Sequence, residues 1–277
     1  MSQQPNTMAG WLAFLGRAEI PVLKHTAREL ERLRSDESLL NARSIANVVT
    51  DDPLMTVKLL RYMQTHKHRN QEYELVDVKE ALLMMGLDTF FREVPATPIA
   101  EDMLHGNLEA LVHLLQTVRR AQRSAHYAFD WALRLHDLHA EEVHVSALLT
   151  YVAEMLMWCF NPTQMLEIRK RQVADETLRS ADVQKQVLGF TGMDFQRQLT
   201  IEWKLPGLLL NLMDPAQART TRVRNVMLAA NLARHSAQGW DNAALPDDYR
   251  EIGALLRMEL DKVVALVKAD PAVAQQR

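Results

Sequence analysis

The chain has 277 residues, 48% of them hydrophobic, with 32 Lys and Arg against 35 Asp and Glu for a formal charge of −3. Such a chain can bury a substantial core in one large domain or two modest ones, which excludes a disordered or fibrous protein. It also lacks the basic excess on which non-specific binding to phosphate backbones relies, so nucleic acid is not an expected partner.

Nine glycines and ten prolines are few for this length. No stretch alternates β-branched residues at period two, whereas apolar residues recur at three-and-four spacing almost throughout, and this predicts an all-α fold. Met1–Thr7 carries no Lys or Arg, and the apolar piece Met8–Leu15 is too short for a signal peptide. No other run is expected to reach the ~20 apolar residues of a membrane span. The single cysteine, Cys159, lies in the apolar run Leu156–Phe160, where a thiol acts as a small core hydrophobe and cannot form an intramolecular disulfide. These features lead to the expectation of a cytoplasmic protein without a membrane partner.

In chain order, Leu23, Ala27, Leu30 and Leu33 form one helical stripe, and Ile45, Val48 and Val49 form another. Asp52-Pro53 is the strongest local signal: Asp52 can cap orphan N–H groups, and Pro53 at the first helical position loses no hydrogen bond. Leu54, Val57, Leu60 and Met63 then make a buried face. A helix over Val78–Met85 is expected to end at Gly86 in a left-handed cap. Pro95 and Pro98 mark Val94–Gly106 as a junction.

Beyond it, Leu108–Leu135 reads as one long helix and Glu141–Phe160 as a second, apolar on nearly all sides and therefore central. Helices at Pro162–Gln172, Ala181–Leu188, Met193–Lys204, Thr221–His235 and Pro246–Lys268 follow. The ends, Met1–Thr7 and Ala272–Arg277, are expected to fray. Trp11 and Phe14 are either tucked onto the domain or presented to another subunit. Met84, Met85, Met155, Met157 and Met165 are expected to fill core gaps.

Several of these segments resemble the HDOD domain, a bacterial signalling module related to the HD metal-dependent phosphohydrolases. Ile20-Pro21-Val22-Leu23 is similar to the opening signature of that family. The run from Ile45 to Arg61, with its Asp52-Pro53 and Leu59-Leu60-Arg61, is the most specific element, and Val78-Lys79-Glu80-Ala81 with Met85-Gly86 follows at the family's spacing. Arg123-Ser124, Ala147-Leu148-Leu149, Leu188-Gly189-Phe190 and Trp203-Lys204-Leu205-Pro206 are similar to later elements, so the resemblance runs from about Ile20 to about His235. It implies an HD-like multi-helix domain with an N-terminal helical subdomain. The corresponding segments are an extension over 1–15, the N-terminal helical part over 16–98, the HD-like part over 99–240 and a C-terminal helical extension over 241–277.

In active relatives, the resemblance implies, histidines and aspartates from separate helices hold a divalent metal that activates water against a phosphate ester. Here the first histidine position falls on Arg123, the histidine-aspartate pair on Thr150-Tyr151, and the late aspartate on or beside Ala230. Arginine repels metal, alanine offers no ligand atom, and threonine with tyrosine substitutes poorly for imidazole and carboxylate. The expectation is therefore a vestigial pocket with no catalytic residue, metal or other cofactor. Arg123 in that pocket could receive phosphate or carboxylate bidentately.

A literal His136-Asp137 also occurs, and His136, Asp137, His139 and His144, with Glu142, are the candidates for a relocated metal site and residual phosphohydrolase activity. The plainer reading places them at an exposed helix end and turn. His66-Lys67-His68 reads as a polar loop. The clusters Arg119-Arg120-Gln122-Arg123, Arg169-Lys170-Arg171 and Arg219-Arg222-Arg224 read as solvated faces, Arg123 excepted because it falls in the expected pocket. Cys159, between Trp158 and Phe160, lacks the electropositive, accessible setting of a nucleophile, and no phosphate-cradling glycine loop occurs. The function expected is a non-catalytic signal-transduction module acting through a protein partner, a small anionic or nucleotide ligand, or a second copy of the chain.

Overall fold

A computed structural model describes residues 5–66, 77–175 and 177–269. Its helices, in chain order, are α1 (Met8–Leu15), α2 (Lys24–Arg34), α3 (Ala42–Thr50), α4 (Pro53–Thr65), α5 (Val78–Met85), α6 (Leu87–Glu93), α7 (Ala100–Met103), α8 (Leu108–Arg134) and α9 (Ala140–Leu149). They continue with α10 (Val152–Phe160), α11 (Pro162–Ala174), α12 (Ser180–Leu188), α13 (Gly192–Glu202), α14 (Gly207–Asn211), α15 (Thr221–His235), α16 (Leu245–Leu256) and α17 (Leu260–Lys268). The described residues form no strand, only an isolated bridge between Val22 and Ile99. The all-α expectation holds.

The chain divides into two compact units that are each discontinuous in sequence: Met1–Val118 with Tyr151–Gly207, and Arg119–Thr150 with Leu208–Arg277. In the first, the core of α2 to α6 is built from Leu30, Leu33, Ile45, Val49, Met55, Leu59, Leu82 and Phe90, each large side chain contributing roughly 1.5–3 kcal/mol on burial. Asp52 orders this core by a cap that reaches beyond its own helix. It accepts from the N–H groups of Leu54 and Met55 at 2.8 and 3.2 Å and, through its other oxygen, from Leu23 N–H at 2.8 Å. Lys58, also buried, donates to the carbonyls of Ile20 and Thr97.

The expected junction Val94–Gly106 lies within this unit and contains α7. Its backbone pairs with Val22, whose N–H donates to Pro98 O and whose carbonyl accepts from Ala100 N–H, both at 2.9 Å. Trp11 is 1% exposed and meets Phe14 edge-on, and Phe14 in turn meets Phe160. The N-terminal aromatics are thus tucked onto their own unit.

Four readings of local structure need correction. Glu141–Phe160 is two helices, interrupted at Thr150-Tyr151. Thr150 Oγ1 donates back to Ser146 O at 2.9 Å and its N–H reaches only Ala147 O, a competition that weakens the helical ladder. Pro246–Lys268 is also two helices, because Arg257 adopts the left-handed conformation at φ 54°, ψ 47°. Gly86 has φ 79° but an extended ψ of 149°, so it turns the chain directly into α6 instead of closing a left-handed cap. Met84 is 55% exposed and fills no core gap, whereas Met155, Met157 and Met165 are buried and Met85 packs against the α2–α6 core.

The 21-residue segment Ala140–Phe160, although broken at Thr150-Tyr151, is long and apolar enough to cross a membrane, contrary to the expectation that no run would be. Its most apolar window is 72% buried within the protein, as a core segment requires. Of the ends expected to fray, Met1–Gln4 and Ala272–Arg277 lie outside the described residues, as do Lys67 and His68 of the polar loop, whereas Thr7 caps α1 by accepting from Gly10 N–H at 3.1 Å.

Candidate functional site

Arg123 projects from α8 into the interior of the second unit and is 6% exposed. Its Nη2 donates to Ser236 Oγ at 2.9 Å and to the Tyr127 hydroxyl at 3.3 Å, and Nη1 donates to Ser236 O at 3.4 Å. The guanidinium carbon lies 5.9 Å from the Tyr127 ring centroid. No carboxylate forms an ion pair with it among the described residues. A buried cation without a carboxylate is costly, and here the counter-charge is partial. Ser236 is the C-cap of α15, whose carbonyl end carries the negative pole of the helix dipole.

The hydrogen-bonding of this interior is incomplete. Arg123 Nε, Ser124 Oγ, Ser146 Oγ and Asn225 Oδ1 are buried without a partner among the described residues, although Asn225 Nδ2 donates to Ala128 O at 2.9 Å and so ties α15 to α8. Such groups call for a ligand or an ordered water. Of the other positions that the resemblance implies to be vestigial, Thr150 is half-buried with its hydroxyl bonded back to Ser146 O, and Ala230 is buried in α15 at 8% exposure. Tyr151 belongs to the first unit.

The relocated-site candidates are dispersed. Asp137 receives Arg222 in a two-pronged pair, Nε at 2.8 Å and Nη2 at 2.9 Å, while Arg222 Nη1 reaches Glu142 at 3.2 Å. Burial pushes the Asp137 carboxyl up, but the hydrogen bonds from Arg222 and from the His139 amide outweigh it and hold it below its ordinary value. His136 and His139 are exposed, and His136 takes a left-handed backbone at φ 54°. Burial, with His126 nearby, drives the His144 imidazole down to about 4. Among the described residues no three His, Cys, Asp or Glu side chains converge as a metal-ligand set.

The remaining candidates behave as packing or surface. Cys159 is buried, and burial raises its thiol far above the usual range. Arg169, Lys170, Arg171, Arg119 and Arg219 are exposed, and Arg171 pairs with Glu167 and Arg224 with Glu251. Sequence reasoning missed Tyr127 and Ser236 as the partners of Arg123. Tyr127 could have been found, since positions four apart share a helix face; Ser236 carries no local signal.

Residues 20–218 match the HDOD domain, so Ala230 lies beyond the matched segment. The sequence matches no curated protein. Among solved structures the fold is similar to the MmoQ response regulator of Methylococcus capsulatus str. Bath, with a TM-score of 0.70 and 16% identity over 92% of this chain and 100% of that one. It is also similar to a virulence factor from Campylobacter jejuni subsp. jejuni, with a TM-score of 0.68 and 18% identity over 97% and 98% of the two chains. At these identities the likeness is one of fold.

Proposed function

The chain belongs to the HDOD domain family, and from that premise we propose that it is a non-catalytic regulatory module, acting by binding a protein partner or a small ligand in the cytoplasm. The observation that carries this reading is the engagement of Arg123. A guanidinium bonded to Ser236 and Tyr127 stands where the resemblance puts the first metal-binding histidine, and a fixed cation there opposes a divalent ion by charge and by occupancy. Thr150, Tyr151 and Ala230 at the remaining positions add no imidazole or carboxylate. The similarity in fold to a response regulator fits a signalling role.

Against the relocated phosphohydrolase stands the consumption of Asp137 by Arg222. The module reading is tested by elemental analysis of chelator-free protein together with turnover assays on phosphate monoesters and cyclic dinucleotides, with manganese added. It expects substoichiometric metal and no turnover. Stoichiometric metal with activity lost in His136→Ala and His139→Ala would overturn it.

A further inference from the structure

The N-terminal part of α8 is apolar on two faces. Ala110, Leu114 and Val118 are buried, whereas Leu108 and Val112, one turn apart on the opposite face, stand 68% and 52% exposed. Leu111 and Leu115 lie half-buried along the same stripe. Isolated exposed apolar residues need no explanation, but a run at i, i+3, i+4 and i+7 makes the kind of seam that helices bury against one another. Glu109 and Arg119 stand exposed beside its two ends, and neither forms an ion pair among the described residues. Because α8 runs unbroken from Leu108 to Arg134, helical geometry alone sets these two charges about 15 Å apart along its solvent side.

We propose that this face joins two copies of the chain, with α8 packed antiparallel on α8 of a second copy about a two-fold axis. Val112 then meets the partner's Leu115, Leu108 lies on the aliphatic stem of the partner's Arg119, and Glu109 pairs with that guanidinium, each contact occurring twice. Charge selects both the occupant and its direction. A parallel copy in register would set glutamate against glutamate and arginine against arginine. A uniformly acidic or basic surface, an anionic membrane included, would meet one like charge whichever way it lay. An antiparallel copy gives every one of these charges an opposite partner. The seam is about 16 Å long, which places the pairing among small, weakly held interfaces, so monomer and dimer should interchange at roughly 10–100 μM. The proposal is independent of the module reading, since it holds whether or not the chain turns over a substrate.

The test is sedimentation equilibrium of the intact chain from about 1 to 500 μM, a range that brackets the expected dissociation constant. A monomer–dimer equilibrium without larger species is expected. Leu108→Asp and Val112→Asp, both at exposed positions, should each weaken the dimer at least about tenfold while the protein stays folded in a thermal melt. Glu109→Arg and Arg119→Glu each create like-charge contacts at two places and should weaken it about tenfold, whereas the double variant, which restores opposite charges, should return to within about threefold of the parent. The proposal is overturned if the parent stays monomeric throughout, if it grows into species larger than a dimer, if both aspartate variants dimerise as the parent does, or if the double charge reversal is no tighter than the single ones.

Discussion

Arg123 and Ser236 lie 113 positions apart in the chain, and the guanidinium of the first reaches the hydroxyl of the second at 2.9 Å. The contact joins the middle of α8 to the C-cap of α15 and gives a buried cation a helix terminus in place of a carboxylate. Replacing Arg123 with Ala empties its site and frees the polar atoms of Ser236 and Tyr127, so a loss of about 2–4 kcal/mol is expected. Arg123→Met keeps the volume and removes the buried charge, and should cost clearly less. Urea denaturation of both variants checks the order; equal losses would make the charge itself the stabilising element.

Tyr127→Phe removes only the hydroxyl that accepts from Arg123 at 3.3 Å. The expected cost is about 0.5–1.5 kcal/mol, with the ring stacking on Trp131 retained. Thermal melts followed by tryptophan fluorescence measure it, and an unchanged melting temperature would show that the hydroxyl is idle.

Gly253 gives a prediction of opposite sign to the usual rule. Alanine inside a helix ordinarily gains about 1 kcal/mol over glycine. Here a Cβ at 253 would stand 2.9 Å from the carbonyl oxygen of Met258, where the chain turns back after α16 through the left-handed Arg257. Gly253→Ala is therefore expected to destabilise by about 1–3 kcal/mol. A stabilised variant would contradict the close approach.

Two groups, the buried Asp52 and the half-buried His144, give opposed pH responses. Burial raises Asp52 to about 6 against its backbone N–H bonds, so its contribution to stability is full below an unfolded value near 4 and is lost as pH rises through about 6. Burial, together with His126, lowers His144 to about 4, so its contribution is full above about 6.5 and is lost as pH falls toward 4. Between pH 7 and pH 5 the histidine should remove about 2 kcal/mol while the aspartate returns about 1 kcal/mol. Denaturation of His144→Gln at both pH values is expected to show a change more favourable than the parent's by about 2 kcal/mol; the same pH profile in both proteins would reject the assignment.

Much of the fold was legible because its signals are local. Asp52-Pro53 caps α4 as expected, and Val78–Met85 and Thr221–His235 have the bounds that periodicity predicts. The breaks at Thr150-Tyr151 and Arg257 were not legible, since neither carries Gly or Pro: the first follows from the Thr150 hydroxyl bonding back to Ser146 O, and nothing in the residue type marks Arg257 for a left-handed backbone. Met84 misled because helical spacing says which residues share a face, not whether that face is covered. At the candidate site, Arg123 stood out by position in the family pattern, but its partner Ser236 required the three-dimensional packing of α8 with α15.

The central claim is that Arg123, not a metal ion, occupies the old ligand position. Anomalous diffraction from crystals grown with manganese tests it most directly. The account predicts no manganese peak beside Arg123 or among His136, Asp137, His139 and His144, with the guanidinium still on Ser236. A manganese peak at either place, with Arg123 swung away from Ser236 or Arg222 from Asp137, would contradict it.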